Sequence, residues 1–296
     1  MKRCGFIAIL GETNAGKSTL LNRLVGSKVS IVSHKVQTTR RRILGITLKN
    51  DAQVIFVDTP GIFEPKKRLD RAMIKAAWSA ATDADLNLVL VDLTMENDEK
   101  TRALLKELSK NKQPLFIALN KLDSVHKDKV SAIHLSLKNE FNPEQIFTIS
   151  AITGEGVEEM LLALLQRLPE GPWLFPEDQI TDLPMRLLAA EITREKVLDH
   201  LHQELPYDII VETEGWEEFK NGDLKISQII HVRRPGQKAI VLGKGGSMIK
   251  IISSEARNEL SKIFECKIHL FLFARVSERW MDDPYFYKSQ GLDFER

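Results

Sequence analysis

Short apolar runs and segments of helical spacing alternate over the first half of the chain. The run over residues 5–10 is typical of a buried parallel strand, and residues 19–25 carry apolar side chains at helical spacing up to Gly26. Further strands are predicted over 42–49, 53–57, 86–91, 115–119 and 145–149, and further helices over 69–81, 98–110 and 157–168. This alternation predicts an α/β domain with a mostly parallel sheet and helices on both of its faces.

The pattern changes after residue 168. Prolines fall at 169, 172, 176 and 184 among several acids with no sustained period, which indicates a linker. Apolar spacing then predicts helices over 185–202 and 247–264 and strands over 207–214, 224–232 and 267–274. The short apolar run 238–242 fits either type of element, so periodicity leaves it open.

The composition is that of an ordinary globular protein. The 296 residues are 43% hydrophobic and 28% charged, enough for about two domains, and the net charge of +1 predicts no strong polyanion affinity of the whole chain. Basic residues are concentrated locally: ten Lys and Arg against three acids over 225–275, and five against none over 28–42. Cys4 and Cys266 lack the spacing of a disulfide scaffold or a thiolate metal site, which favours a reducing cytosol. The apolar runs are too short for a signal peptide or a membrane span.

Residues 11–18 read GETNAGKS and fit the phosphate-binding pattern GxxxxGKS between a strand and a helix. In such a loop the backbone N–H groups surround an anion, Lys17 reaches the β and γ oxygens, and the Ser18 hydroxyl can ligate Mg²⁺. A chance match in a glycine-rich turn is the alternative, and the flanking elements argue against it. The candidate phosphate-site residues are Gly11, Glu12, Thr13, Asn14, Ala15, Gly16, Lys17, Ser18 and Thr19.

The strand 53–57 ends in a second candidate motif, Asp58, Thr59, Pro60 and Gly61. An acid at this position can hold Mg²⁺ through water, and a glycine lets its N–H approach a γ-phosphate. The same four residues also make a good turn, so the motif is ambiguous when taken alone.

The strand 115–119 runs into Asn120, Lys121 and, after one residue, Asp123. A carboxylate at Asp123 can accept the N1 and N2 hydrogens of guanine, which adenine does not offer as a pair, while Asn120 bonds the base and Lys121 lies over its face. A surface turn is the alternative, but ligands bind at the carboxyl ends of such strands. The next strand ends in Ser150 and Ala151, whose backbone N–H groups could meet the guanine carbonyl.

With these motifs in order, residues 5–168 resemble a Ras-like GTPase domain. The asparagine of GETNAGKS, the segment QTTR at 37–40 and the segment DTPG at 58–61 resemble the Era/TrmE branch. The resemblance implies that Lys17, Thr39 and Gly61 serve catalysis. Thr38 and Thr39 match the switch threonines, one of which ligates Mg²⁺ in the GTP state, and Thr39 is favoured.

The resemblance also implies a potassium ion beside the phosphates at Asn14. Thr13 and Ala15 depart from the proline and valine that are usual in the family. Neither change removes a phosphate ligand, because the loop binds through its backbone. Ile62 stands where many GTPases carry a glutamine that orients water, so slow intrinsic hydrolysis is expected, although Ile62 could simply be packed. Faster hydrolysis would then need the potassium ion, a rearrangement of the switch or a group supplied by the partner.

A glycine-rich loop with a lysine lies in the basic second half. Residues 243–246 read GKGG and precede a helix, whose N-terminus favours phosphate. The order α-β-β-α-α-β over 185–277 resembles a type II KH domain, an α+β fold that clamps about four single-stranded nucleotides, and implies that 238–242 is a helix. A fold used only for protein contact is the alternative. The candidate RNA-binding residues are Arg233, Arg234, Gly243, Lys244, Gly245, Gly246 and Lys250.

A GTPase domain followed by a KH domain is the layout of the Era family, and the resemblance covers nearly the whole chain. It implies a GTPase domain over 1–168, a linker over 169–184, a KH domain over 185–280 and a tail over 281–296, whose aromatic residues either stack on bases or pack on their own domain. It further implies GTP, GDP, Mg²⁺ and K⁺ as ligands, and binding of 16S ribosomal RNA near its 3′ end, coupled to the nucleotide state.

The family resemblance implies a role in maturation of the small ribosomal subunit by a cytoplasmic monomer. Peripheral association with the cytoplasmic face of the inner membrane is reported for relatives, but no amphipathic basic helix explains it here. The alternative function is a GTP-regulated binding protein with negligible turnover that acts through protein or membrane contacts.

Overall fold

A computed structural model describes residues 2–33, 35, 38–65, 67–95, 99–201, 209–278, 280–289 and 291–294. The chain forms two compact units that are each discontinuous in sequence. The first unit comprises Met1–Ser30, Thr39–Asp182 and Gln290–Arg296, and the second comprises Ile31–Thr38 and Leu183–Ser289. The domain boundaries inferred from sequence stay a prediction. The units differ from them chiefly because Ile31 is buried with Leu183 and Leu188.

A six-stranded sheet forms the centre of the first unit. Its strands are β1 (Arg3–Gly11), β2 (Ile43–Lys49), β3 (Ala52–Asp58), β4 (Leu86–Asp92), β5 (Leu115–Asn120) and β6 (Gln145–Thr148). The strand order is β2-β3-β1-β4-β5-β6, with β2 antiparallel to β3 and the other pairs parallel. The five parallel strands place their carboxyl ends at one edge, where the sequence motifs follow.

Helices cover both faces of this sheet. They are α1 (Lys17–Val25), α2 (Arg68–Asp83), α3 (Glu99–Leu108), α4 (Lys127–Phe141) and α5 (Val157–Leu165). One apolar cluster joins the sheet to α1 and α5 through residues such as Leu20 and Leu164. Another joins it to α3 and α4 through Leu105 and Leu137. The predicted α/β domain is therefore confirmed.

Helix α4 was not predicted from the sequence. Its apolar residues Val130, Ile133, Leu137 and Phe141 are three or four residues apart and pack on one cluster, whereas Leu135 is 60% exposed. The predicted first residue of the helix over 98–110, Asp98, lies outside the described residues, and α3 begins at Glu99.

The segment predicted as a linker is hydrogen-bonded to the first unit up to Asp182. The buried side chain of Gln53 accepts the N–H groups of Leu174 and Phe175 at 2.8 and 3.0 Å and donates to the Phe175 carbonyl at 2.8 Å. The N–H of Ile46 donates to the carbonyl of Ile180 at 2.8 Å. These bonds satisfy the polar groups of a chain without regular secondary structure, so it runs along β2 and β3 as a fixed strap.

The second unit contains a three-stranded sheet with helices. Its elements are α6 (Met185–His200), β7 (Ile210–Glu218), β8 (Leu224–Val232), α7 (Pro235–Leu242), α8 (Ser247–Ile263), β9 (Ile268–Val276) and α9 (Pro284–Ser289). Strand β8 pairs antiparallel with β7 and parallel with β9. The order α-β-β-α-α-β confirms the type II KH fold, and the ambiguous run 238–242 is helical. The predicted element ends at His202 and Tyr207 lie outside the described residues.

The aromatic tail of the second unit packs mainly on the protein. Trp280, Phe286 and Tyr287 are buried, and the rings of Trp280 and Phe286 meet edge to face at 4.7 Å. Tyr285 is 71% exposed. In the part of the chain that the structure describes, no helix is both long and apolar enough to cross a bilayer.

Candidate nucleotide and RNA sites

The phosphate loop connects the carboxyl end of β1 to α1. The side chain of Lys17 turns back along it, and its Nζ donates to the carbonyl oxygens of Gly11 at 3.1 Å and Glu12 at 2.6 Å. Burial lowers the pKa of Lys17 to about 8, against the opposing charges of Asp58 and Glu12. A buried ammonium held in this way is placed to receive a phosphate, whose charge would stabilise it.

The end of the phosphate loop meets the base-recognition motif. Asn120 is buried, its Nδ2 donates to the Ala15 carbonyl at 2.8 Å, and its Oδ1 accepts the N–H of Ala151 at 2.9 Å. Gly16 has φ +96°, and a Cβ there would lie 2.4 Å from Asn120 Nδ2. In this structure the Asn120 amide therefore braces the loops themselves, and the base contacts expected of Asn120 and Ala151 stay predictions.

Three hydroxyl groups and a carboxylate meet beside Lys17. Oδ2 of Asp58 accepts from Ser18 Oγ at 2.7 Å and from Ser30 Oγ at 2.9 Å, and Ser18 Oγ lies 3.0 Å from Thr39 Oγ1. Burial raises the pKa of Asp58, while the Ser18 hydrogen bond and the Lys17 charge oppose that rise. Oδ1 of Asp58 is buried with no hydrogen-bond partner among the described residues.

This oxygen-rich cluster suits a hard divalent cation. Mg²⁺ prefers oxygen ligands and keeps several waters, so a buried carboxylate oxygen that lacks a donor fits a position next to a metal-bound water. Of the two switch threonines, only Thr39 lies in this cluster. The Thr38 hydroxyl donates instead to the Lys35 carbonyl at 2.6 Å, and Gln37 of the same motif lies outside the described residues.

The DTPG segment runs close to the phosphate loop. A Cβ on Gly61 would lie 2.8–2.9 Å from atoms of Thr13, so only a glycine lets the two segments approach this closely. Thr59 donates its hydroxyl to the Ile9 carbonyl at 2.8 Å, which fixes the turn at Pro60. The half-buried side chain of Ile62 packs against an apolar cluster of the first unit and offers no group that could orient a water.

The carboxylate of Asp123 is exposed and oriented by two hydroxyl groups. Ser150 Oγ and Ser124 Oγ donate to it, the latter at 2.9 Å, and these hydrogen bonds lower the pKa of Asp123. Lys121 adopts a left-handed backbone conformation, and its Nζ lies 2.5 Å from Asp92 Oδ2. The site thus presents an ionised carboxylate and a fixed lysine stem at the ends of neighbouring strands.

Sequence reasoning missed several residues of the first unit that hold these groups. They are Ser30, Asp92 and Ser124. Asp92 carried a signal, since it follows an apolar run at the same edge of the predicted sheet as Asn120. Ser30 carried none, because a serine in a loop is ordinary.

The glycine-rich loop of the second unit makes a tight turn over Lys244–Gly246, directly before α8, with Gly245 and Gly246 at φ +60° and +79°. Lys244 and Lys250 are exposed. The N–H groups of Arg233 and Arg234 both donate to Gln237 Oε1, at 2.8 and 3.0 Å, which ties the basic pair to α7. The seven candidate RNA-binding residues all lie in the stretch 233–250.

Two apolar side chains beside this loop also escaped the sequence reasoning. Ile240 on α7 is 51% exposed and Ile251 on α8 is 45% exposed. Exposed aliphatic groups next to a basic loop offer apolar contact to unstacked bases. Their exposure was not predicted from the sequence, because apolar residues at helical spacing are usually buried.

Both units match known families. Residues 6–121 match the family model described as 50S ribosome-binding GTPase, and residues 204–281 match the KH domain. Among curated relatives, GTPase Era of Rhizobium meliloti (strain 1021) is 54% identical over 294 residues, with 99% of this chain and 94% of the relative covered. GTPase Era of Afipia carboxidovorans is 50% identical, with 99% and 96% covered.

Solved structures are similar over the same extent. A crystal structure of a tyrosine-to-alanine variant of Aquifex aeolicus Era bound to GDP·AlF4⁻ has a TM-score of 0.91 and 38% sequence identity, covering 98% of this chain and 99% of that one. A crystal structure of Era in complex with MgGDPNP and nucleotides 1506–1542 of 16S ribosomal RNA has a TM-score of 0.92 with the same identity and coverage. With the phosphate loop, the base motif and the KH fold in one chain, the protein is a GTPase and belongs to the GTPase Era family.

Proposed function

We propose that this GTPase assists assembly of the small ribosomal subunit by binding the 3′ region of 16S ribosomal RNA under the control of its nucleotide. The observation that carries the proposal is the presence in one chain of a guanine-nucleotide site and a GKGG loop, matched over 98% of its length by a relative that was crystallised with both a GTP analogue and that RNA. The family model that matches 6–121 is named for the 50S subunit, but the full-length relative favours the small one.

The first unit binds the nucleotide in this proposal. The backbone of 11–16 and the Lys17 ammonium hold the phosphates, and Gly61 offers its N–H to the γ-phosphate. Asn120, Lys121 and Asp123 hold guanine together with the backbone of Ser150 and Ala151. The hydroxyl groups of Ser124 and Ser150 support this role, because they donate to the Asp123 carboxylate, orient it and keep it ionised.

Mg²⁺ would be held by Ser18 and Thr39, with Asp58 acting through water. When bound it neutralises charge on the β- and γ-phosphates. The clustering of these three side chains supports the assignment, as does the buried Oδ1 of Asp58, which has no hydrogen-bond partner among the residues that the structure describes.

Intrinsic hydrolysis is slow in this proposal, because Ile62 packs against the core and cannot orient a water. A potassium ion at Asn14 would supply part of the missing stabilisation. Asn14 has φ +62°, an uncommon backbone value for a residue other than glycine that asparagine tolerates better than most residues.

The second unit binds single-stranded RNA through the loop over 243–246. Four basic side chains neutralise the RNA phosphates in this proposal, and the exposed Ile240 contacts bases. The four are Arg233, Arg234, Lys244 and Lys250. The chain leaves the first unit at Ser30 and re-enters it at Thr39, so the residues next to the switch threonine belong to the RNA-binding unit. Within that unit the buried Arg194 donates to the Thr38 carbonyl at 2.5 Å. This supports coupling of nucleotide state to RNA binding.

RNA binding in three nucleotide states tests the proposal. A fluorescent RNA with the 3′-terminal sequence of 16S ribosomal RNA is titrated with the GDP-bound, GTP-analogue-bound and nucleotide-free protein. Affinity should be highest with the GTP analogue and should fall on Lys244→Asp. The control Lys262→Asp, in the last turn of α8, makes the same charge reversal away from the loop. Equal affinity in all three states, or equal loss in both variants, would contradict the proposal.

Multiple-turnover phosphate release with and without small subunits separates this function from that of a binding protein with negligible turnover. We expect turnover in both conditions.

We also propose that the protein acts in the cytoplasm, where ribosomes assemble, as a monomer. Light scattering after size-exclusion chromatography tests the monomer, and co-sedimentation with anionic vesicles tests the peripheral membrane association reported for relatives.

A further inference from the structure

The hydroxyl group of Ser30 bonds the carboxylate that the proposed magnesium site requires. Ser30 is 1% exposed and Asp58 is 0% exposed, and the Ser30 Oγ lies 2.9 Å from Asp58 Oδ2. Ser18 Oγ donates to the same oxygen at 2.7 Å. Neither the phosphate-loop pattern nor the DTPG motif includes Ser30, which lies 28 residues before Asp58.

The first helix fixes Ser30 in place. Oδ1 of Asn22 on α1 accepts the N–H groups of Val29 and Ser30, both at 2.9 Å, and its Nδ2 donates to the Ser30 carbonyl at 2.7 Å. Three hydrogen bonds from one side chain leave the Ser30 backbone little freedom. The Ser30 hydroxyl is therefore anchored to the same helix that begins with Lys17 and Ser18.

Two donors on one oxygen hold a carboxylate in one orientation. Oδ2 of Asp58 accepts from both Ser18 and Ser30. Oδ1 of the same carboxylate is buried and has no hydrogen-bond partner among the described residues, so this oxygen is left to accept from a ligand. A buried carboxylate oxygen without a donor is costly unless a ligand or a water satisfies it. The hydroxyl pair thus keeps one oxygen of Asp58 available.

We propose that Ser30 is a positioning residue for Mg²⁺ binding, which orients Asp58 so that its Oδ1 accepts from a metal-bound water. The inference rests on the proposed roles of Ser18 and Asp58 at the metal. Without the Ser30 hydroxyl, Oδ2 of Asp58 loses a donor, and the carboxylate is held less firmly by the remaining Ser18 and Thr39 hydroxyl groups. The bound metal then gains less from the carboxylate, while phosphate and guanine contacts of the nucleotide are unchanged.

The test separates metal-dependent from metal-independent nucleotide binding. The release rate of a fluorescent GDP analogue is measured in excess Mg²⁺ and in EDTA, and the ratio of the two rates reports how strongly the metal retains the nucleotide. Ser30→Ala should reduce this ratio about tenfold, the effect expected of one hydrogen bond to a charged group, and leave the EDTA rate unchanged. Ser30→Thr keeps the hydroxyl and should restore most of the ratio.

Three further variants make the result decisive. Ser27→Ala removes a hydroxyl from the same loop and should leave the ratio unchanged. Ser30→Cys preserves the side-chain volume with a weak donor, and should reduce the ratio even if Ser30→Ala disturbs folding. Asp58→Asn should reduce the ratio at least as much as Ser30→Ala. Thermal melting of each nucleotide-free variant checks that the fold is intact.

The outcomes distinguish failure of the role of Ser30 from failure of the proposed magnesium site. If Asp58→Asn lowers the ratio and Ser30→Ala does not, the role of Ser30 is overturned and the magnesium site stands. If Ser30→Ala speeds release equally in Mg²⁺ and EDTA, Ser30 has a structural role only and the inference is overturned. If neither variant changes the ratio, the assignment of Asp58 in the proposed function fails as well.

Discussion

The side-chain amide of Asn120 donates to the carbonyl oxygen of Ala15 at 2.8 Å and so joins the end of β5 to the phosphate loop. Its other polar atom accepts the N–H of Ala151 at 2.9 Å. One buried side chain therefore braces the phosphate loop, the base motif and the loop after β6. The two halves of the proposed nucleotide site thus support each other without a ligand, which would lower the entropy cost of binding one.

Gly16→Ala should damage this brace. The new Cβ would lie 2.4 Å from Asn120 Nδ2, and the φ of +96° strains any residue with a side chain. Strain of about 1–2 kcal/mol and a lost hydrogen bond of about 1 kcal/mol predict a loss of GDP affinity of roughly tenfold or more. Isothermal titration with GDP measures the affinity, and thermal melting measures the stability of the nucleotide-free protein.

Gly26→Ala is the matched control for Gly16→Ala. Gly26 has φ +77° at the end of the same helix, but a Cβ there meets no heavy atom within 4 Å. The substitution should lower stability by backbone strain alone and leave GDP affinity within about twofold, because no contact is lost. Equal losses of affinity in the two variants would show that the Asn120 contact has no part in binding.

Asp123→Asn should change the base preference. The amide can no longer accept two hydrogens, so the affinity for GDP should fall by about 1.5–3 kcal/mol for each lost charged hydrogen bond, and the affinity for XDP should rise. Competition of the two nucleotides against a fluorescent GDP analogue measures both. Asp128→Asn, in the first turn of α4, removes the same charge nearby and should keep the preference for GDP. An unchanged preference in Asp123→Asn would refute the assignment of the base site.

Hydrolysis should be faster in potassium than in sodium at equal ionic strength. A cation beside Asn14 would stabilise charge that develops on the phosphates, and contacts of this kind are worth tenfold or more in rate, so we expect a ratio of about ten. Single-turnover phosphate release in the two salts measures it. Asn14→Ala should abolish the difference, whereas Thr13→Ala, in the adjacent position, should retain it. Equal rates for the parent in both salts would remove potassium from the mechanism.

The sequence was sufficient for most of the sheet in the first unit. All six strands were predicted to within two residues at each end, because buried parallel strands are continuous apolar runs bounded by polar residues. Strand β7 was predicted less well. A bulge between Thr213 and Gly215 carries it on to Glu218, past a glycine that sequence patterns treat as a strand end.

Long-range relationships were beyond the sequence. The motifs predicted that Lys17, Asp58 and Asn120 follow the ends of strands. They did not predict the hydrogen bond from the Ser30 hydroxyl to Asp58 or the one from the Asn120 amide to the Ala15 carbonyl. These bonds depend on how loops of ordinary composition fold back on one another. The inclusion of 31–38 in the second unit likewise depends on contacts with residues about 150 positions away in sequence, which no local pattern encodes.

The GKGG loop offers a prediction that separates folding from RNA binding. A Cβ on Gly243 would lie 2.7 Å from the N and Cβ of Met248, whereas a Cβ on Gly245 meets no heavy atom within 4 Å. Gly243→Ala should therefore lower the melting temperature of the second unit by several degrees, through about 1–3 kcal/mol of overpacking. Gly245→Ala should unfold nearly as the parent does, apart from backbone strain.

Both variants should bind RNA more weakly. In Gly245→Ala the cause is the methyl group that keeps a phosphate from the main chain, so the salt dependence of binding should also flatten. Fluorescence anisotropy with single-stranded RNA at several salt concentrations measures both effects. Parent-like RNA affinity in Gly245→Ala would show that the backbone of this loop does not contact the nucleic acid.

The surroundings of His231 on β8 lead to a prediction of how the stability of the second unit depends on pH. Its Nδ1 lies 2.8 Å from Ser277 Oγ and its Nε2 lies 3.2 Å from Glu212, while Arg275 and Glu214 are the other charges that act on it. Burial lowers the pKa of His231 below 6.5, chiefly because the charged ring is poorly solvated, and Arg275 adds to this while Glu212 opposes it. The folded protein therefore holds this proton less tightly than the unfolded chain does.

The contribution of His231 to stability is then complete above about pH 6.5 and is lost as the pH falls below that value, since protonation favours the unfolded chain. Ring-proton shifts of ¹³C-labelled histidine, assigned by loss of one signal in His231→Gln, should give a midpoint below 6.5. Denaturant unfolding at pH 8 and pH 5 should show a smaller loss of stability for His231→Gln than for the parent. A midpoint at or above 6.5, or equal losses in both proteins, would mean that the acidic neighbours outweigh the burial of the ring.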